Sequence, residues 1–136
     1  MREYNHQYNI DHSEKIKEQR KKYRNNKNKT DLKYRLNKIM RKAIWESLRG
    51  NKNGRHWENL VKYTLEDLMK RLKETMPENY TWQDYLDGRL QIDHIIPIKA
   101  FAFQKSEEKE FMWCWSLTNL RLLPTKENLI KGGKIL

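Results

Sequence analysis

The apolar positions of this chain follow two periods, and each predicts its own element. Between residues 31 and 49, Leu32, Leu36, Ile39, Met40, Ala43, Ile44 and Leu48 recur at steps of three and four. That spacing predicts an amphipathic helix with one buried stripe, closed by Gly50 as a C-cap. Residues 51–56 read as a loop with His56 a solvent-facing bystander, and Trp57, Leu60, Val61 and Tyr63 as a short apolar element. A second stripe follows: Leu65, Leu68, Met69, Leu72 and Met76. Thr64 is its N-cap, Glu66 and Asp67 fall in its first turn, and Pro77 stops it. Two short runs, LQIDHIIPI from Leu90 and LRLL at 120–123, then predict strands joined by a long loop. Within that loop Ser106 is placed to cap a helix to about Trp113. Phe101, Phe103, Phe111, Trp113 and Trp115 are assigned to the core. After the second strand, Pro124 and Thr125 predict a short helix with Thr125 as N-cap, Asn128 in the first turn, and Gly132 and Gly133 at the end.

Upstream of residue 31 the pattern fades. Residues 1–12 show no period and predict a loose arm, with His6 and His12 as bystanders. A helix from Asp11 or Ser13 to about Arg24, with Glu14 completing a capping box, carries only Ile16 and Tyr23 as sizeable apolar groups. It cannot bury a face well. NNKNKT at 25–30 reads as a polar break and hinge. The expected fold class is α+β, mainly helical, with a small two-stranded antiparallel hairpin and a short helix. The expected organisation is a basic N-terminal arm at 1–30 and one domain at 31–136.

Charge sharpens that division. The chain has 29 Lys and Arg against 18 Asp and Glu, a net charge of +11. Residues 1–50 hold 15 of the former and 6 of the latter, so +9 lies there. A basic arm beside a nearly balanced body points to a polyanion, most simply nucleic acid. Arg20, Lys21, Lys22 and Arg24 on the arm, with Lys38, Arg41 and Lys42 on the following helix, are the candidate phosphate contacts. No apolar run approaches the roughly 20 residues a spanning helix needs, and there is no signal-peptide core. The expectation is a soluble protein with no membrane partner. Cys114 is the only cysteine, which excludes an internal disulfide and a cysteine-bound structural zinc.

Four polar residues interrupt the apolar runs: Asp93 and His94 ending the first strand, Asn119 before the second, and Asn128 in the last helix. An imidazole with a pKa near 6.5 accepts a proton from water around neutrality. A carboxylate and an amide oxygen are hard ligands suited to Mg²⁺ or Mn²⁺, and two protein ligands leave positions open. The plainer reading makes Asp93 a turn cap, His94 a core histidine and the asparagines turn residues. Each residue alone favours it. The four together at this spacing favour a site.

The stretch TWQDYLDGRLQIDHIIPIKAF, followed by TNLRLLPTKENLIKGGK, resembles the HNH endonucleases, which carry a ββα-metal core, in their compact phage and prophage form. The resemblance covers roughly residues 55–134, is strongest from Thr81 to Lys131, and puts the core at about 88–134. It implies His94 as general base, Asp93 as metal ligand, Asn119 as the residue orienting the histidine loop, and Asn128, in place of the family's final histidine, as second ligand. It further implies one Mg²⁺ or Mn²⁺ ion, double-stranded DNA as substrate, and the cytoplasm of a bacterial or phage-infected cell as setting. Lys131, one turn beyond Asn128, is expected to touch a substrate phosphate, and Trp82 and Tyr85 to pack beneath the metal site. A non-catalytic nucleic-acid-binding module, or a nuclease acting on RNA or branched DNA, is the alternative.

Overall fold

The stripe from Leu32 to Leu48 forms the helix around which the core assembles. In the computed structural model, which describes residues 2–51 and 54–132 (backbone only for 2–8 and 11), this helix runs from Leu32 to Ser47. We label it α2. Its N-cap is Asp31, in extended conformation, whose carboxylate accepts the Tyr34 N–H at 3.1 Å. Leu36, Met40, Ile44 and Leu48 are buried. At the other end Leu48 is the cap, and Gly50 closes the turn by donating its N–H to the Trp45 carbonyl at 2.9 Å. Gly50 has φ +81°, and a Cβ there would stand 3.2 Å from the Trp45 ring.

Before α2 lies α1, Arg2–Thr30, which corrects the reading of a loose arm, a short helix and a hinge. No Gly or Pro occurs in residues 1–30, so a helix once nucleated propagates without a breaker. The asparagine-rich segment stays helical. Thr30 donates its hydroxyl to the Asn26 carbonyl at 2.9 Å, and the Lys27 ammonium lies over the Tyr23 and Tyr34 rings. The break falls one residue later, at Asp31, because an N-cap requires extended backbone. The side chains of His6 and Asp11 lie outside the described residues, as does Gly133.

Downstream come α3 (Trp57–Val61), α4 (Leu65–Thr75) and α5 (Trp82–Leu86). Thr64 and Asp67 form a reciprocal capping box at the start of α4, which buries Leu68 and Leu72. His56 is exposed but paired, with Nε2 2.8 Å from Glu58 Oε1. Gly88, at φ +85°, turns the chain from α5 into β1 (Leu90–His94). The connection to β2 (Leu120–Pro124) carries two single 3₁₀ turns and α6 (Lys109–Cys114). Glu108, not Ser106, caps α6. The Glu108 carboxylate accepts the N–H groups of Gln104 and Lys105, while the Ser106 hydroxyl accepts from Arg55 at 3.0 Å. Trp113, expected in the core, is 57% exposed, whereas Phe111 and Trp115 are buried.

β1 and β2 pair antiparallel, with Asp93 opposite Arg121 and His94 opposite Leu120. Strand alternation puts Leu90, Ile92, Leu120 and Leu122 on the core face and Gln91, Asp93 and Arg121 on the other. The outer edge of β2 is sealed by α4. Arg71 Nε donates to the Leu120 carbonyl and Thr75 Oγ1 accepts the Leu122 N–H, both at 3.1 Å. The last helix, α7 (Thr125–Lys131), begins directly after β2 and ends at Gly132, with φ +50°. Thr125 is its first residue and not its cap. The Thr125 hydroxyl donates to the Gly88 carbonyl at 2.6 Å and its N–H to the Arg89 carbonyl at 2.9 Å, which leaves Pro124 at the cap. The architecture is thus α+β: mainly helical, with one two-stranded antiparallel sheet. No helix among the described residues is long and apolar enough to cross a membrane.

Leu68 on α4 is fully buried, whereas Ile130 is 77% exposed on α7. Leu68→Ala is expected to lower unfolding free energy by about 2–5 kcal/mol. Ile130→Ala should stay within about 0.5 kcal/mol. Urea denaturation of both variants checks the contrast.

Candidate active site

Helix α7 lies across the polar face of the hairpin, and two pairs of side chains fix it there. Asn128 Nδ2 donates to Gln91 Oε1 at 2.7 Å. Lys131 Nζ donates to Asp93 Oδ1 at 2.8 Å and Oδ2 at 2.9 Å. Residues three apart on a helix thereby meet residues two apart on a strand, since both spacings keep one face. Asp93, His94, Asn128 and Lys131, with Ile92, Pro97, Ile98 and Lys99, line a shallow depression of about 330 Å³.

Asp93 is 6% exposed and held by two cations, because Arg121 Nε also donates to Oδ2 at 2.9 Å. The Arg121 contact follows from the hairpin register, which places the two residues opposite each other. Asp–Arg complementarity on paired strands is therefore the sequence signal for Arg121, available once the register is known. Lys131 departs from its expected role at a phosphate. Its side chain is 1% exposed and also donates to the His94 and Ile95 carbonyls. Its stem is packed under α7 and its head is consumed by the strand.

His94 ends β1 against the edge of Trp115, with ring centroids 4.5 Å apart. Trp115 in turn donates its Nε1 to Ser47 Oγ at 3.2 Å. The aromatic partner of the histidine is thus Trp115. Trp82 and Tyr85 meet edge-to-face instead, and Tyr85 packs beneath the Arg35 guanidinium. Burial lowers the His94 pKa to about 4, with Asp93 pulling it up and Lys131 pushing it down. The ring is neutral near pH 7, which is its proton-accepting form. Its Nε2 is buried and has no hydrogen-bond partner, which is rare for a polar atom at that depth.

Asn119 fixes the backbone that follows the histidine. Its Oδ1 accepts the Ile96 N–H at 2.8 Å, and its Nδ2 donates to the carbonyls of Ile96 (3.1 Å) and Cys114 (2.9 Å). Its own carbonyl accepts the Ile95 N–H at 2.8 Å. Such a residue acts through the loop and not on a ligand.

The donors suit a hard divalent cation in type. Gln91 takes the nitrogen of the Asn128 amide, which leaves Oδ1 as an uncommitted oxygen, and the Asp93 carboxylate lines the same depression. Both Asp93 oxygens already face a cation. Among the described residues no three His, Cys, Asp or Glu side chains group to hold a metal ion. Cys114 adds no ligand or nucleophile, as burial pushes its thiol up to about 12. Arg20, Lys21, Lys22 and Arg24 on α1, and Lys38, Arg41 and Lys42 on α2, are all exposed.

The chain is similar to an uncharacterized protein of Acanthamoeba polyphaga mimivirus, 32% identical over 114 residues. That match takes in 82% of this chain and 48% of the viral protein, so the chain spans about half the length of the curated relative it matches. No family model and no solved structure matches.

Asn119→Ala removes all three side-chain hydrogen bonds and leaves buried backbone groups unpaired. We expect a loss of about 1–3 kcal/mol and faster amide exchange at Ile96 than at Leu68. Hydrogen-exchange mass spectrometry on the variant checks both the size and the location of the effect.

Proposed function

We propose that this protein is a divalent-metal-dependent DNA endonuclease of the HNH type. The observation that carries the reading is the convergence of Asp93, neutral His94 and Asn128 on one depression where hairpin meets helix. The β1–β2–α7 arrangement supports a ββα-metal core, and the exposed cations of α1 and α2 support a duplex backbone as partner.

In this mechanism His94 takes a proton from a water molecule as its oxygen attacks phosphorus. The new P–O bond forms while the bond to the 3′ oxygen breaks, giving 5′-phosphate and 3′-hydroxyl ends. The departing oxygen takes its proton from solvent. Asp93 and Asn128 Oδ1 would hold a Mg²⁺ or Mn²⁺ ion, whose positive charge would offset the negative charge of the phosphate and the leaving oxygen. Trp115 and the Asn119-braced loop hold the imidazole in place, so little reorganisation accompanies proton transfer. The low basicity of His94 limits its driving force as a base but keeps it unprotonated across the neutral range.

One observation favours a second reading. Asp93 is saturated by Lys131 and Arg121, as it would be in a purely structural ion cluster. The protein would then be a nucleic-acid-binding module without catalysis. Incubation of supercoiled plasmid with Mg²⁺ or Mn²⁺, against EDTA, separates the two. Nicked or linear product is expected only with metal.

His94→Ala is expected to cut the cleavage rate by about 10²–10⁴-fold while leaving duplex affinity unchanged. Activity within a few-fold of the parent would remove His94 from the chemistry. Replacing Arg20, Lys21, Lys22 and Arg24 with Gln should act on binding alone. Every phosphate no longer neutralised should flatten log K against log salt by about 0.9, and cleavage at saturating DNA in low salt should persist. Equal salt slopes for parent and variant would mean that α1 does not touch the backbone.

A further inference from the structure

Among the described lysines, Lys131 alone is buried, and it faces only oxygen. Its Nζ has Asp93 Oδ1 at 2.8 Å, Asp93 Oδ2 at 2.9 Å, the Ile95 carbonyl at 3.3 Å and the His94 carbonyl close by. An ammonium has three N–H donors and no acceptor, so four oxygens share three protons. Carboxylate and backbone carbonyls arranged this way are also the donors a hard metal cation takes. Arg121 does not compete for the carbonyls, since it reaches only Asp93 Oδ2. Asn128, one helical turn before Lys131, lines the same depression.

We propose that Lys131 is a resident cation of the site, filling its oxygen cage without metal and yielding Asp93 when a divalent ion binds. This rests on the metal-site reading given above. An ammonium and a divalent ion on the same carboxylate repel each other, and Lys131 is the movable one. Its stem has four rotatable carbons, and it ends α7 next to Gly132. In the absence of metal, the lysine holds Asp93 and the His94 and Ile95 carbonyls together. It also sets a threshold, because an ion must displace a charge before it gains the carboxylate.

The test uses the full chain and Mn²⁺ as probe, read by loss of the free-Mn²⁺ paramagnetic resonance signal. Lys131→Met should bind Mn²⁺ at least tenfold more tightly than the parent, and its Tm, lowered in EDTA, should rise more steeply with Mn²⁺. Asp93→Asn should abolish binding in both backgrounds. A second measurement needs no change at Lys131. Acetylation mapped by mass spectrometry should leave Lys131 unmodified in EDTA and modify it at saturating Mn²⁺, with exposed Lys38 and Lys42 as controls. Asp93-dependent Mn²⁺ binding with no gain in Lys131→Met and no change in labelling would overturn the displacement and leave the metal site standing. No Asp93-dependent binding in either protein would overturn both. If Lys131→Met fails to fold even with Mn²⁺, labelling of the parent decides.

Discussion

The ion cluster of Asp93, Lys131 and the half-buried Arg121 joins every part of the hairpin–helix unit. Removing a carboxylate and an ammonium from water is costly, and the cost is offset only when the partners are close and the remaining donors are satisfied. Here Lys131 also satisfies two carbonyls beyond the end of β1. The cluster therefore determines where α7 lies on the strands, and through α7 where Asn128 stands relative to Asp93. A hydrophobic lock would hold the helix as well, but it would not place a carboxylate in the lining of the depression.

Second to this cluster is the support around His94. Trp115 packs on the ring edge-on, Ser47 on α2 holds Trp115, and Asn119 braces the backbone that follows. The imidazole thus depends on α2 and on the segment just before β2, both far from it in sequence. A side chain on a two-stranded sheet would otherwise have little to hold it, since a hairpin alone is marginally stable.

The parts of the fold readable from sequence are those set by local periodicity. The α2 and α4 stripes, the Thr64 cap and the strand–loop–strand–helix order all depend on residues within a few positions of one another. The rest depends on tertiary partners. Thr125 has the chemistry of an N-cap, but its hydroxyl is taken by Gly88, and nothing near Thr125 in sequence announces that. Trp113 and Trp115 look alike as letters, yet one is exposed and the other lies under His94. Lys131 reads as one more cation in a basic chain until Asp93 is placed beside it. The length of α1 is hidden for a different reason. Weak apolar content argues against a helix, whereas the absence of any breaker allows one. At the site, residue types and spacing identify Asp93, His94, Asn119 and Asn128 as a group. The charges that occupy Asp93 follow only from the register.

The single extended residue between α1 and α2 has a mechanical consequence. A helix of 29 residues is about 43 Å long at 1.5 Å per residue. Asp31 is the joint at its base, and its cap bond to Tyr34 sets the backbone angles there. A rotation of about 10° at that joint carries the far end through about 7.5 Å. The aim of a long charged lever is thus set at its base, where the Asp31 cap and the Lys27 contact with Tyr34 join α1 to α2, and a small change at residue 31 is multiplied along the whole arm.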